Sequence, residues 1–384
     1  MITLPITDQF VHGAQELEQT DRGLRPHRLP AWVRTRFPDP QLMMVEGQPS
    51  GVRVIVETAS TAIELVTHPS RVGYVGADRP RGRVDLVVDG RFVASDELDG
   101  GDLTEVNLST GATAFIRGES HVSRFTELPA GDKVVELWLP HNESIELVEL
   151  RADGPVRATP ATAPIWLHHG SSISHGSNAS SPTQIWPAIA AQQGGVELRN
   201  LGFGGSALVD PFVAQVMRDT PADVISVKLG INVVNADLMR LRAFVPAVHG
   251  FLDTIREGHP DTPLLLVSPI FCGIHEDTPG PGAFDPASFG TGQVKFIATG
   301  SSDEVAAGKL TLRVIRSALQ SIVESRADDA NLHYLDGTHL YGEADAELHP
   351  LPDALHPDTA THRIIGERFA ALAFGKGGPL SPRR

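Results

Sequence analysis

The segment PIWLHHGSSISHG, residues 164–176, is the starting point for predicting the fold of the second half of this 384-residue chain. It is a short apolar run that ends at Gly170 and is followed at once by a polar segment with three serines. Later apolar runs alternate with segments of helical periodicity, which predicts βαβ units and a parallel sheet covered on both faces. The predicted strands are VELRNLG (196–202), ADVISVKLG (222–230), TPLLLVSPIF (262–271) and NLHYLDG (331–337), and the predicted helices lie around residues 186–193, 211–218, 246–257, 304–325 and 359–374.

Residues 51–150 carry a different pattern, in which apolar and polar residues alternate over short runs rich in β-branched side chains. One such run, VDLVVDGRFVAS (84–95), contains Asp89-Gly90, a strong hairpin signal. The spacing predicts an all-β sandwich over residues 1–155, with the proline-rich first 40 residues lying across its surface. A stretch rich in Pro, Ala and Thr then links it to a second domain over residues 164–375.

Composition and charge exclude several classes of protein. A chain with 41% hydrophobic and 21% charged residues is typical of globular proteins. The net charge of −15, with no basic stripe, argues against nucleic acid or an anionic membrane as a partner. One cysteine, Cys272, excludes an intrachain disulfide, and we expect it to fill core space. Neither a signal peptide nor an apolar run long enough to span a membrane is evident, so we expect a cytoplasmic protein.

Chemically useful side chains follow the predicted strands. Ligands of open parallel sheets bind outside the carboxyl ends of the strands, so we expect these residues to converge there. A serine, an imidazole to take its proton, a carboxylate to orient the imidazole and N–H donors for an oxyanion are the requirements of acyl transfer. The segments concerned are Gly170-Ser171-Ser172-Ile173, residues 200–206, Gly230-Ile231-Asn232 and Asp353-Ala354-Leu355-His356.

These segments resemble, in the family's own order, the sequence blocks of the SGNH (GDSL-type) hydrolases. The block Gly-Asp-Ser-Ile/Leu is similar to residues 170–173, Asn-x-Gly-x-x-Gly to residues 200–205, Gly-x-Asn to residues 230–232 and Asp-x-x-His to residues 353–356. Two positions depart from the pattern, because Ser171 and Val233 stand where the family usually has Asp. The resemblance covers residues 164–375 and implies a three-layer, flavodoxin-like α/β domain with a parallel sheet.

The resemblance also implies an acyl-enzyme mechanism. Ser172 would be the nucleophile, His356 its general base and Asp353 the carboxylate that orients the imidazole. The oxyanion would be held by the backbone N–H groups of Ser172 and Gly205 and by the side-chain amide of Asn232. The choice of Ser172 over the adjacent Ser171 rests on the register of the first block.

Each of these residues also has an ordinary structural explanation. Serines after a strand often cap helices, the glycines of residues 202–205 can form a tight turn, and Asp353 can cap the last helix. Their coincidence at one sheet edge favours a shared site. The histidines at 168, 169 and 175 and the run His275-Glu276-Asp277 lack the spacing of a metal site, so we expect no metal and no cofactor, and His168 and His169 as polar residues at a strand end. The Gly- and Pro-rich residues 273–302 are predicted to be a long irregular loop with a function, such as a lid.

The triad chemistry alone does not select the acceptor. An alcohol gives an acyltransferase that uses an ester or a thioester such as acyl-CoA, whereas water gives a carboxylic ester hydrolase, including a sugar acyl esterase. Length and domain order resemble two-domain actinobacterial GDSL proteins, which include tailoring acyltransferases that acylate a hydroxyl of tetracycline-type aromatic polyketides. A third class stays open, a non-catalytic carbohydrate-binding protein.

The sandwich resembles the jelly-roll, carbohydrate-binding-module-like domains that accompany carbohydrate esterases. Its few aromatic residues favour a role in shaping an acyl or acceptor pocket over sugar binding. The expected partners are therefore a small-molecule acyl donor and a hydroxyl acceptor, with no nucleic acid and no membrane. The sequence does not specify the oligomeric state.

Overall fold

A computed structural model describes residues 1–75, 79–107, 110–160, 162–289, 291 and 294–381 of the chain. The chain divides into two compact units. The first comprises Met1–Thr162 with Ser180–Thr183, and the second comprises Ala163–Ala179 with Gln184–Arg384.

The first unit is a β-sandwich with two short helices, which confirms the all-β prediction. Its strands are β1 (Ile2–Leu4), β2 (Val11–His12), β3 (Glu16–Gln19), β4 (Leu24–His27), β5 (Arg53–Thr58), β6 (Ile63–Tyr74), β7 (Arg83–Val88), β8 (Arg91–Glu97), β9 (Asp102–Val106), β10 (Thr113–Ile116), β11 (His121–Phe125), β12 (Lys133–Trp138), β13 (Ser144–Ala152) and β14 (Val156–Ala158), and its helices are α1 (Ala31–Arg36) and α2 (Pro40–Glu46). One sheet has the order β10-β9-β6-β13-β4-β3, with β1 beside β13 and β11 beside β6. The other has the order β14-β5-β12-β7-β8, with β2 beside β5.

Alternate residues of both sheets point inward and form one apolar core, which includes Val54, Leu65, Val135, Leu137 and Leu147. The prediction that the first 40 residues only cross the surface is wrong. β1 pairs with β13, β2 with β5, and β3 and β4 with each other. Pairing satisfies backbone N–H and C=O groups that the neighbouring strands would otherwise leave open at a sheet edge.

Residues 180–183 group with the sandwich through the fully buried carboxylate of Asp85. Its Oδ2 accepts hydrogen bonds from Ser181 Oγ at 2.7 Å, Thr183 N at 3.0 Å and Thr183 Oγ1 at 2.6 Å. A buried carboxylate requires such donors, because burial without them is costly. These residues lie inside the range 164–375 that was predicted for the second domain.

His121 lies between two carboxylates of the same unit. Its Nε2 is 2.7 Å from Asp96 Oδ2 and its Nδ1 is 2.5 Å from Asp99 Oδ1. The hydrogen bond to Asp96 raises the pKa of His121 above its ordinary value, against the opposing effect of burial. The hydrogen bond to His121 lowers the pKa of Asp99. The protonated imidazole is therefore the form that this site stabilises.

We expect His121→Gln to destabilise the protein more at pH 6 than at pH 9. A raised folded-state pKa contributes stability that is complete below the unfolded pKa of about 6.5 and is lost as the pH rises through the folded value. Asp99, whose pKa is lowered, contributes above about pH 4 and loses its contribution as the pH falls. At pH 6 we expect a loss of about 1–2 kcal/mol and a fall in Tm of about 2–6 °C. Equal decreases in Tm at the two pH values, measured on the full chain, would contradict this.

The second unit is a parallel sheet between helices. Its strands are β15 (Ile165–Gly170), β16 (Glu197–Gly202), β17 (Val224–Lys228), β18 (Leu264–Val267), β19 (Gly282–Phe284), β20 (Phe296–Ala298) and β21 (Leu332–Leu335), and its helices are α3 (Ser172–His175), α4 (Trp186–Gly194), α5 (Pro211–Asp219), α6 (Ile231–Asn235), α7 (Leu241–Gly258), α8 (Leu312–Ser325), α9 (Glu343–Leu348) and α10 (Thr359–Phe369). Five strands pair in parallel in the order β16-β15-β17-β18-β21, while β19 and β20 form a separate antiparallel pair. This is the flavodoxin-like order, so the predicted fold class is confirmed.

Side chains of β15 show how both faces of the sheet are covered. Trp166 is fully buried on one face, with ring centroids 5.9 Å from Trp186 of α4 and 5.1 Å from Phe369 of α10. His169 points to the other face and stacks on Phe251 of α7 at 5.9 Å. The result is the three-layer arrangement expected of βαβ units.

Two predicted helices differ from those observed. Residues 304–325 do not form one helix, because Ser302–Ala307 is a 3₁₀ helix and the backbone turns at Gly308, where φ is 91°. Thr311 then caps α8 by accepting a hydrogen bond from the Val314 N–H at 3.3 Å. The helix expected near residue 246 begins earlier, at Leu241, since Phe244 and Val248 continue its buried face. None of the helices in the described ranges is both long and apolar enough to cross a membrane.

Candidate active site

The ends of β15 and β16 bring the first two predicted blocks together. β15 ends at Gly170, and Ser172 opens the four-residue helix α3, which stops at Gly176 with φ 109°. Gly202 ends β16 directly against α3, where an added Cβ would lie 2.6 Å from the backbone of both Ser174 and His175. A side chain at position 202 would therefore push α3 away from the sheet.

Three of the predicted residues form a chain of hydrogen bonds at this edge. His356 Nε2 lies 3.0 Å from Ser172 Oγ, and His356 Nδ1 lies 2.8 Å from Asp353 Oδ2. The ring is thus within hydrogen-bond reach of a hydroxyl on one side and a carboxylate on the other. This geometry allows the imidazole to take the hydroxyl proton while the carboxylate stabilises the resulting positive charge.

Asp353 is held so that it remains ionised. Its Oδ1 accepts from the backbone N–H groups of Leu355, at 2.9 Å, and His356, at 2.6 Å. Burial acts to raise the pKa of Asp353, but the hydrogen bonds and the charge interaction with His356 outweigh it and hold the pKa below its ordinary value. The left-handed backbone of Ala354, with φ 67°, accompanies the sharp turn that folds His356 back towards Asp353.

The two adjacent serines have different surroundings. Ser172 contacts His356, whereas Ser171 is 1% exposed and its Oγ has no hydrogen-bond partner in the described part of the chain. Ser171 occupies the N-cap position of α3 without making a side-chain cap. The structure therefore brings Ser172, and not Ser171, to His356.

Gly205 and Asn232, the other two predicted oxyanion donors, follow β16 and β17, the strands on either side of β15. Asn232 lies in the first turn of α6, and its Oδ1 accepts the backbone N–H of Ala207 at 3.1 Å. This bond fixes the orientation of the amide group. Because the oxygen faces Ala207, the NH₂ group of Asn232 faces away from the Ala207 N–H and can donate elsewhere. Gly230 precedes α6 at φ 126°, which glycine tolerates and other residues rarely adopt. Gly205 also lies in the left-handed region, at φ 72°, and is exposed.

Sequence reasoning did not single out Asn178. Its Nδ2 donates to Asp353 Oδ2 at 3.1 Å, the same oxygen that bonds His356 Nδ1. Asn178 has φ 66°, a conformation that Asn adopts more readily than most residues. An Asn two residues after Gly176 is a turn signal, but nothing in the local sequence connects it to position 353.

His168 and His169 are fully buried within the sheet, so the expectation of polar residues at an open strand end is wrong. His168 lies 2.7 Å from Ser226 Oγ and 2.8 Å from Ser174 Oγ, the latter on α3. His169 Nδ1 lies 2.7 Å from the Leu201 carbonyl oxygen. Burial holds the pKa of His168 well below its ordinary value and lowers that of His169 to about 4. Both rings are thus neutral, and His168 connects β15 to α3 through Ser174.

Two family models match the chain. Residues 163–272 match the GDSL-like lipase/acylhydrolase family, and residues 10–148 match the N-terminal domain of SsfX3. The match confirms the predicted resemblance of the second unit to the GDSL-type enzymes and the expectation that this protein is an enzyme. Its chemistry is acyl transfer or ester hydrolysis on small molecules. The class of a non-catalytic carbohydrate-binding protein has no support from these matches.

Three solved structures resemble this chain over most of its length, including both units. The salicylyl-acyltransferase SsfX3 from a tetracycline biosynthetic pathway is 28% identical, with 96% of this chain and 95% of that chain covered and a TM-score of 0.75. A GDSL-like lipase from Bacteroides ovatus is 17% identical, with 98% and 97% covered and a TM-score of 0.67. A family two carbohydrate esterase from Clostridium thermocellum, in complex with cellohexaose, is 15% identical, with 86% and 94% covered and a TM-score of 0.56. The last two share the fold. Comparison with curated protein sequences found no match.

Proposed function

We propose that this enzyme forms an acyl ester on Ser172 and transfers the acyl group to a hydroxyl acceptor. The hydrogen-bonded chain from Ser172 Oγ through His356 to Asp353 is the observation that carries the proposal. A serine hydroxyl is a weak nucleophile until a neighbouring base takes its proton, and His356 Nε2 is within reach to do so. Asp353 keeps the proton of His356 on Nδ1 and leaves Nε2 free to accept.

In the first step, Ser172 Oγ attacks the carbonyl carbon of the donor and its proton passes to His356 Nε2. The carbonyl oxygen becomes negative and is stabilised by the N–H groups of Ser172 and Gly205 and by Asn232 Nδ2. The bond to the leaving group then breaks, and the leaving group takes the proton from His356. Donors that are already oriented stabilise the developing charge without reorganisation, which is why Asn232 held by Ala207 suits this role.

In the second step, the acceptor hydroxyl gives its proton to His356 Nε2 and attacks the ester carbon, and Ser172 recovers its proton. The 28% identity to a salicylyl-acyltransferase over nearly the whole of both chains supports an alcohol as the acceptor. We therefore propose an acyl-CoA thioester as the donor and a hydroxyl of an aromatic polyketide as the acceptor. A coenzyme A donor would place the reaction in the cytoplasm.

The test uses p-nitrophenyl acetate and a fluorophosphonate probe. We expect a burst of p-nitrophenol, covalent labelling of Ser172, and new esters when alcohols are added to the acyl-enzyme. An ester hydrolase would instead show a burst and release of acetate, and it would form no ester with the added alcohols from either p-nitrophenyl acetate or an acyl-CoA donor. Absence of both burst and labelling would overturn the acyl-enzyme proposal.

Asn178 provides a separate check on the role of Asp353. Asn178→Gly removes the amide donor while accommodating the left-handed backbone, and we expect kcat/KM to fall about three- to tenfold, the effect of one lost hydrogen bond. Asn178→Asp places a second negative charge beside Asp353 and should reduce kcat/KM further. Esterase assays on the purified variants measure both effects. Wild-type kcat/KM in Asn178→Gly would show that the contact does not act on the reaction.

A further inference from the structure

Part of the predicted loop 273–302 is an ordered hairpin beside the triad. β19 and β20 pair in antiparallel register, with Phe284 opposite Phe296, so the expectation of an irregular loop throughout is wrong; residues 290, 292 and 293 lie outside the described ranges. Gly280 and Gly282 allow the base of the hairpin to approach α6, where an added Cβ at Gly282 would lie 3.0 Å from Asn235 Oδ1. The hairpin is thus seated on the helix that carries Asn232.

Phe296 connects the hairpin directly to the turn from Asp353 to His356. Its backbone N–H donates to the Asp353 carbonyl oxygen at 2.8 Å. Its ring meets the ring of His356 edge to face, with centroids 5.5 Å apart and an interplanar angle of 79°. Phe296 therefore contacts both the ring of His356 and the backbone of Asp353.

Phe284 extends this aromatic surface outward. Its ring centroid is 5.0 Å from that of Phe296, which makes a row of three rings from Phe284 through Phe296 to His356. Phe284 is 52% exposed, although burying a phenylalanine is favourable. An exposed apolar surface that leads to a reactive side chain is typical of a ligand-binding site.

Resting on the proposed function, we propose that Phe284 and Phe296 form a binding surface for an aromatic ring carried by the hydroxyl acceptor. The acceptor oxygen must reach His356 Nε2 to give up its proton, so the group attached to that oxygen lies next to the His356 ring. By microscopic reversibility, the leaving group of the donor passes through the same place. An aromatic body at this position can pack edge to face on phenylalanine, whereas a saturated ring of the same size provides only apolar contact.

The experiment lets two acceptors compete for one acyl-enzyme. Ser172 is acetylated with p-nitrophenyl acetate in the presence of equal concentrations of benzyl alcohol and cyclohexylmethanol, and the ratio of the two acetate esters is measured by gas chromatography. Both esters come from the same acyl-enzyme, so changes in acylation rate or in the amount of active protein cancel from the ratio. We expect Phe284→Leu to lower the benzyl-to-cyclohexylmethyl ratio about three- to tenfold, and Phe284→Tyr, which keeps a ring, to preserve it.

Phe289→Leu is the matched control. Phe289 is an exposed phenylalanine on the same connection, and it has no ring contact with the three rings among the described residues. We expect its ester ratio to equal that of the wild type. If water is the sole acceptor, the same comparison is made in reverse, as kcat/KM for hydrolysis of benzyl acetate and cyclohexylmethyl acetate.

The outcomes separate this inference from the proposed function. A ratio in Phe284→Leu within twofold of the wild type, with the p-nitrophenol burst intact, would overturn the aromatic surface and leave the acyl-enzyme standing. A fall in the ratio in Phe289→Leu as large as that in Phe284→Leu would also overturn it. Loss of the burst in the wild-type protein would instead contradict the acyl-enzyme itself.

Discussion

Ser172→Ala is expected to lower kcat/KM by about 10⁴-fold or more and to abolish the p-nitrophenol burst. The variant removes the hydroxyl that lies 3.0 Å from His356 Nε2, and no acyl ester can then form at this position. Residual turnover would come from water activated by His356 at a site that still stabilises the oxyanion. The measurement is steady-state and pre-steady-state hydrolysis of p-nitrophenyl acetate.

Ser171→Ala is the control that the chain itself offers. It removes a hydroxyl one residue away from Ser172. That hydroxyl is buried and has no hydrogen-bond partner among the described residues. We expect kcat/KM within about threefold of the wild type, because loss of an unpaired buried hydroxyl leaves no donor or acceptor unsatisfied. Full activity in Ser172→Ala together with loss in Ser171→Ala would move the nucleophile by one position.

Asn232→Ala is expected to reduce kcat by about 10²- to 10³-fold and to change KM little. The amide meets a charge that exists only in the transition state and the tetrahedral intermediate, so its loss leaves substrate binding nearly intact. Asn232→Asp should reduce kcat at least as much, since a carboxylate has no proton to donate and repels the oxyanion. Kinetic constants for one ester substrate, determined for each variant, measure the effect.

Asn235→Ala, in the same short helix, controls for damage to α6. It removes an amide of the same type from the last residue of the helix, where Asn235 Oδ1 lies near Gly282 of the hairpin and does not share the contact between Asn232 and Ala207. We expect kcat to stay within about threefold of the wild type. A rise in KM with unchanged kcat in Asn232→Ala would show that this amide binds the ground state equally and is not an oxyanion donor.

The four sequence blocks could be located without a structure because each is local. A few neighbouring residues are enough to recognise a strand that ends in glycine and is followed by Ser172, or a turn from Asp353 to His356. Parallel strands also end at one edge of a sheet, so the convergence of the blocks could be predicted from their order alone. The broken helix at Gly308 could not, because helical periodicity continues through it and the left-handed turn there depends on what surrounds it.

Other contacts depend on residues far apart in the chain. Asn178 and Asp353 are 175 positions apart, and their hydrogen bond exists only because the segment after α3 and the turn from Asp353 to His356 meet in the folded chain. Phe296 reaches His356 through a hairpin in a segment whose glycines and prolines suggested an irregular loop. The local sequence around these residues does not predict either contact, because each contact depends on where the folded chain places the two residues.

Local sequence patterns were enough to predict a β-sandwich followed by a parallel α/β domain with the residues of serine-dependent acyl chemistry. These properties follow from hydrophobic periodicity and short motifs, which are encoded over a few neighbouring residues. The tertiary structure was needed to show that Ser172, chosen by motif register, lies within reach of His356, how Asn232 is held and which rings flank the imidazole. Those features are set by distances and angles between groups as much as 184 residues apart, and hydrogen bonds weaken steeply when such geometry is lost.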